Sequence, residues 1–167
     1  MPAGISGKAW VFGDDVNTDV IFPGKYTYSI FDPSEMAKHA MEDADLEFAA
    51  KVRPGDVVMA GRNFGCGSSR EQAATCLKAA GVGAVVAKSF ARIYFRNAIN
   101  LGLPIVQCPE VVEKVRPGDA ISVDFGAGGV EHNGQTYRFP PLPPSVMEIL
   151  EAGGLVPYVR ARLKGQS

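Results

Sequence analysis

The chain has 167 residues, 46% of them hydrophobic, and sets Lys plus Arg 17 against Asp plus Glu 18 for a net charge of −1. That length supports a core burying about 70% of the unfolded surface, and charges alternating without blocks argue against a nucleic-acid partner. Three widely spaced cysteines with no C-x-x-C pair, and only two histidines, argue against a disulfide framework and against a metal cluster held by this chain alone.

The first residues, Met1 to Lys8, contain no apolar signal region and the longest apolar runs are of strand length, so the chain reads as soluble and cytoplasmic, with no membrane span. Lys8–Phe12 is the first expected strand, and it runs into a polar loop, Gly13 to Asp19. Asp15, Asn17 and Asp19 imitate the start of a calcium loop, but Val20 stands where glycine is needed and Tyr26 where the closing glutamate belongs. Asp32 as N-cap and Pro33 at the first helical position predict a helix with Met36, Ala37, Ala40 and Met41 on one face. The turn Arg53-Pro54-Gly55-Asp56 launches a strand at Val57–Ala60, and the same tetrapeptide recurs as Arg116-Pro117-Gly118-Asp119 before Ala120–Val123. Two copies do not make a solenoid.

Between the copies the pattern predicts a helix over about Ser69–Ala80, a strand at Val82–Ala87 and a helix over about Ser89–Asn100 ended by Gly102. This is a β-loop-α-β-α unit of the α/β class, which requires some parallel pairing. Beyond Ile105-Val106 the chain turns to β character, with a hairpin centred on Asn133-Gly134. A helix over Ser145–Ala152 stops at Gly153-Gly154, and the basic tail after Val159 is expected to be loosely held. No linker divides the chain, so one domain over 1–167 is expected, with a core over 8–160 and flexible ends.

The segment most able to carry chemistry is Gly61 to Ala74, placed between a strand and a helix. Its glycines let backbone N–H groups converge, Ser68 or Ser69 is positioned to cap the helix that follows, and Arg70 offers a planar fork for a carboxylate. It lacks the third glycine of a dinucleotide loop, the Gly-Lys-Ser/Thr of a Walker loop and the G-x-S-x-G of a hydrolase elbow. On local spacing alone, an anion-binding loop and a plain strand-to-helix connection with a serine cap stand level.

The run Asn63-Phe64-Gly65-Cys66-Gly67-Ser68-Ser69-Arg70-Glu71-Gln72-Ala73, the later run Ala87 to Leu103, and the earlier Asp15-Val16-Asn17-Thr18-Asp19-Val20-Ile21-Phe22-Pro23 together resemble the swivelling domain of the aconitase superfamily. The resemblance extends from about residue 8 to residue 160 and is nearest to the small subunits of its two-chain hydro-lyases. It implies a compact β/β/α swivelling fold, a large-subunit partner carrying a [4Fe-4S] cluster, and an active site closed between the two chains. Carried over by position, it implies Ser68 as the base that removes a carbon-bound proton, Ser69 and Arg70 in the substrate pocket with Arg70 gripping a carboxylate, and Asp19 as an acidic active-site residue. Cys66 is then a small packing residue.

The family's substrate loop corresponds here to Gly24–Phe31, with Tyr26, Thr27, Tyr28 and Ser29 as candidate contacts. Relatives that act on tricarboxylates place an arginine in this loop, whereas no arginine lies between Ile21 and Lys51. A buried carboxylate without a cation costs several kcal/mol, so the substrate that the resemblance implies is a small malate with an apolar substituent, isopropylmalate, with dimethylmalate as an alternative. A homoaconitase-like small subunit, or a non-catalytic carboxylate-binding module, is the alternative.

Overall fold

The first strand, β1 (Gly4–Val11), serves two halves of one sheet. In the computed structural model, which describes residues 4–165, its second half pairs in parallel with β2 (Val57–Ala60), Ala9 opposite Val57. The parallel set continues through β3 (Ala84–Ala87) to β4 (Ile105–Gln107). The first half of β1 pairs antiparallel with β5 (Ala120–Asp124), followed by β6 (Gly129–His132) and β7 (Gln135–Arg138). The order is therefore β4-β3-β2-β1-β5-β6-β7.

Side-chain alternation on the parallel strands builds two cores. Val58, Ala60, Val85, Ala87 and Ile105 face the helices and pack with Phe22, Phe48, Phe64, Leu77 and Tyr94. Their neighbours Val57, Met59, Ala84, Val86 and Val106 face the other way and meet Ile121, Val123, Phe125, Val130 and Phe139 from the antiparallel half. Buried on both faces, β2 and β3 need uninterrupted apolar runs, and Val57–Ala60 and Ala84–Ala87 supply them. The layers are helix, parallel strands and antiparallel strands, which is the expected α/β class in its β/β/α arrangement.

The helical layer is made of α1 (Thr18–Ile21), α2 (Pro33–Ala37), α3 (Phe48–Lys51), α4 (Gln72–Ala79), α5 (Arg92–Asn100), α7 (Pro144–Ala152) and α8 (Leu155–Gly165), whereas α6 (Pro109–Val112) packs through Val111 in the other core. Asp32 caps α2 through Ser34 N as expected, and α7 ends on Gly153 at φ 92. Several boundaries differ from the sequence reading. β1 begins at Gly4, four residues before Lys8, because β5 pairs with its first half. The tail expected to be loose is helical to Gly165 in α8; of the flexible ends, residues 1–3 and 166–167 lie outside the described residues. Among the described residues no helix is long and apolar enough to cross a membrane.

The repeated tetrapeptide forms the same turn twice, with Gly55 at φ 91 and Gly118 at φ 87 and the aspartate N–H bonded to the arginine carbonyl, Asp56 to Arg53 at 3.0 Å and Asp119 to Arg116 at 3.1 Å. In each copy the aspartate carboxylate also accepts from the arginine N–H, at 2.9 Å. Asp56, only 4% exposed, further accepts from Lys8 N and from Trp10 Nε1, both at 3.0 Å. Burial pushes its pKa up, but the donors at Trp10, Arg53 and Lys8 outweigh burial and hold it below the ordinary aspartate value. A pKa depressed on folding stabilises the protein above the unfolded-state value, about 3.9, and that contribution is lost as the pH falls through the folded-state value. Asp56→Asn should therefore lower stability at pH 7 by about 1–3 kcal/mol and flatten the acid limb of the stability curve. Urea unfolding at neutral and acid pH reads both, and an unchanged acid limb contradicts the assignment.

Candidate functional site

Because β1, β2 and β3 are parallel, the loops leaving their C-terminal ends lie side by side, the edge where open α/β sheets place their ligands. The loop after β1 and the loop after β2 continue the ladder without being strands. Gly61 N donates to Gly13 O at 3.0 Å, Asp15 N to Arg62 O at 2.8 Å, Gly65 N to Val16 O at 2.7 Å and Thr18 N to Cys66 O at 2.9 Å. On its other side the β2 loop is tied to the β3 loop, Phe64 N to Ser89 O at 3.1 Å and Ala91 N to Phe64 O at 3.0 Å. Gly65 sits at φ 84 with the buried Tyr94 ring against it, where an added Cβ would lie 2.2 Å from a ring carbon. The Tyr94 hydroxyl in turn donates to Ala73 O at 3.0 Å, so one buried side chain supports the loop and the helix it feeds.

This frame presents Ser68, Ser69 and Arg70 on an open cavity of about 550 Å³. Both serines are exposed, and their hydroxyls have no hydrogen-bond partner among the described residues; the backbone is fixed instead, Thr18 Oγ1 donating to Ser68 O at 2.8 Å. Neither serine caps α4, whose N-cap position is Glu71. Ser89 likewise does not start α5, because its Oγ accepts from Asn63 N at 2.8 Å. The first turn of α5 therefore walls the cavity, bringing Arg92, Ile93 and Tyr94, with Arg96 and Asn97 one turn on.

Asp19 lies on α1, which Asn17 caps by accepting from Val20 N at 2.9 Å. Its carboxylate pairs with the Arg70 guanidinium. The pair lies against Gly24, where an added Cβ would be 2.8 Å from Asp19 Oδ1 and 3.1 Å from the Arg70 nitrogens.

The other sequence candidates are placed outside this cavity. Tyr26 packs on the helix-side core, its ring 4.0 Å from that of His39 and its hydroxyl 3.1 Å from Glu42 Oε2. The His39 hydrogen bond, stronger than the opposing burial, and the Tyr26 hydroxyl hold the Glu42 carboxyl below the usual carboxylate range. Lys25 is also turned toward Glu42, at 3.9 Å. Thr27 Oγ1 is buried with no hydrogen-bond partner among the described residues, Ser29 is exposed, and Tyr28 is 90% exposed. Gln72 holds this loop, Nε2 donating to Thr27 O at 2.9 Å.

The cysteines do not converge. Cys66 is half-buried in the loop, Cys76 lies in the helix-side core with its thiol pushed far up by burial, and Cys108 lies in the other core. Among the described residues no group of three or more His, Cys, Asp or Glu comes together that could hold a metal ion.

Residues 24–110 match the Aconitase C-terminal domain family. The 3-isopropylmalate dehydratase small subunit 1 of Methanopyrus kandleri is 56% identical over 158 residues, covering 93% of this chain and 92% of that one. The corresponding small subunit of Heliobacterium modesticaldum is 52% identical over 160 residues, 95% of this chain and 96% of its own. The chain belongs to the 3-isopropylmalate dehydratase small-subunit family. A crystal structure described as 3-isopropylmalate dehydratase from Methanocaldococcus jannaschii superposes with a TM-score of 0.92 at 44% identity, over 98% of this chain and 97% of that one.

Within this family's fold, Arg92, Arg96, Asn97 and Gln72 are the residues that sequence reasoning passed over. Arg92 and Arg96 stood inside the run that carried the resemblance, and their i, i+4 spacing at a helix start was the signal available. Gln72 offered none, since its partners are backbone carbonyls more than 40 residues away in sequence.

Proposed function

We propose that the chain interconverts 2-isopropylmalate and 3-isopropylmalate, by dehydration and rehydration, together with a large subunit that carries the [4Fe-4S] cluster. The observation that carries this reading is a free serine pair on a cavity open to solvent, beside Arg70, which is ion-paired to Asp19. Ser68 acts as the base. Its Oγ takes the proton from the substrate carbon next to the hydroxyl-bearing carbon, the C–H electron pair becomes the new double bond, and the C–O electron pair leaves with the hydroxyl, which becomes water on taking a second proton from the solvent. Rehydration in the opposite sense, with the serine-held proton returned to the carbon that lost the hydroxyl and the hydroxyl of a water, stripped of one proton, added to the other, gives the isomer. A serine oxygen is far too weak a base in water, and the guanidinium-bearing residues that line this cavity favour its ionised form. Arg70 and Ser69 hold a substrate carboxylate, and Asp19 fixes the angle of the Arg70 fork. Three thiols without a disulfide accord with a reducing, cytoplasmic setting.

The loop of residues 24–31 faces the substituent. Tyr28 and Phe31, 90% and 70% exposed, are free to meet a substrate delivered on the partner's face, and neither carries a charge. Preference for the right alkyl group is worth about 1–3 kcal/mol, and an unpaired buried carboxylate is penalised more. Comparison of kcat/KM for isopropylmalate, dimethylmalate and homocitrate on the assembled enzyme tests this. The alkyl malates should lead, and Tyr28→Arg should move the preference toward homocitrate; equal or better turnover of homocitrate by the unmodified enzyme overturns the substrate assignment.

A further inference from the structure

We propose that Arg92 and Arg96 form a second carboxylate-binding site on the cavity, one that captures the end of a dicarboxylate that Arg70 does not hold. The inference rests on the isomerase reading above and adds residues to it. Arg70 is the expected carboxylate grip, yet its charge is already met by Asp19. Arg92 and Arg96 are exposed, line the same cavity, and have no ion pair or hydrogen bond among the described residues. They stand one turn apart on α5, and like charges at that spacing destabilise a helix. No Asp or Glu is among the residues lining the cavity, so Arg92 and Arg96 stand there without a lining carboxylate, in a chain whose net charge is −1. A dianion needs two cationic contacts, and the Arg70–Asp19 pair alone has no net charge. The uncompensated pair on α5 supplies the attraction, and Asn97 beside it offers a neutral donor. A field focused in a cleft of one sign raises the local concentration of an oppositely charged ligand and weakens with salt.

The test uses the assembled enzyme with Arg92→Gln and Arg96→Gln singly and together. KM for 2-isopropylmalate should rise about tenfold for each, with a smaller change in kcat, and the dependence of kcat/KM on ionic strength should become shallower. Calorimetric binding of malonate, a bare dicarboxylate, should weaken in parallel, and this reads the site independently of turnover. Unchanged malonate affinity and KM with weakened subunit assembly would show that the pair docks an acidic face of the large subunit, and would overturn the proposal. Unchanged binding, KM and assembly would overturn it as well. Loss of malonate affinity in the variants of a complex that does not turn over isopropylmalate would uphold the cation pair while removing the substrate reading beneath it.

Discussion

Ser68→Ala is expected to lower kcat of the assembled enzyme by about 10³-fold, within the range that a positioned general base contributes, and to leave the fold and the assembly intact. The second half of that expectation is as important as the first. The Ser68 hydroxyl makes no hydrogen bond among the described residues, and the contact that fixes the residue, from Thr18 Oγ1, goes to its carbonyl. Removing the hydroxyl therefore deletes no internal contact, and the stability change should stay within about 0.5 kcal/mol. Cys66→Ala is the matched control: two residues away in the same loop, half-buried, and free of any role in the proton transfer. Initial rates and thermal unfolding of the two variants separate the readings, and a lethal Cys66→Ala beside an active Ser68→Ala would reverse the roles assigned within the loop.

Gly65→Ala is expected to be the most damaging single change to the frame beneath the site. Two penalties act together. The backbone is held at φ 84, where a Cβ is strained by about 1–2 kcal/mol, and that Cβ would lie 2.2 Å from the Tyr94 ring, which has no room to retreat. Tyr94 is 2% exposed, its hydroxyl is bonded to Ala73 O and its ring lies edge-on to Phe64 at 5.3 Å, so relief requires the loop or α5 to shift, at about 1–3 kcal/mol. The sum, roughly 2–5 kcal/mol, should appear as a lower urea midpoint. The displaced Ser68–Arg70 segment should also lower turnover even where the variant remains folded. Gly67→Ala is the gentler comparison: φ is 94, but the nearest atom to an added Cβ is Asn17 Cβ at 3.5 Å. Equal stability losses in the two variants would mean that the Tyr94 contact contributes nothing.

The parts of the fold legible in the sequence are those whose causes are local. Val57–Ala60 reads as a buried strand because four apolar residues follow a Pro-Gly turn, and Asn133-Gly134 reads as a hairpin because both residues adopt positive φ, 49 and 78. The errors arise where a distant partner claims a local signal. Ser89 has the chemistry of a helix cap, but Asn63 N, 26 residues away, takes its oxygen, and α5 starts three residues later than read. Ser68 and Ser69 are cap residues by type, yet α4 begins at Gln72, which leaves their hydroxyls free on the cavity. The first half of β1 has no apolar run, since Gly4 to Lys8 is ordered by pairing with β5.

The site divides in the same way. Ser68, Ser69 and Arg70 were legible as a contiguous motif, and Asp19 as part of a second motif, but their ion pair is a product of the ladder that draws the loops after β1 and β2 together. Tyr26 was legible as a loop residue and not as a core one. Its place is set by His39 and Glu42 on a segment the motif does not include.

Competition between two forms of this chain for one large subunit tests most directly the claim that Ser68 is the base of a shared site. Increasing amounts of Ser68→Ala chain are mixed with a fixed amount of unmodified chain and limiting large subunit, and isopropylmalate isomerisation is followed. The account predicts activity that falls in proportion to the variant fraction and approaches zero, because the variant docks as well as the unmodified chain and lacks only the proton acceptor. Activity that holds at its initial level, while the variant is recovered bound to the large subunit, would contradict it.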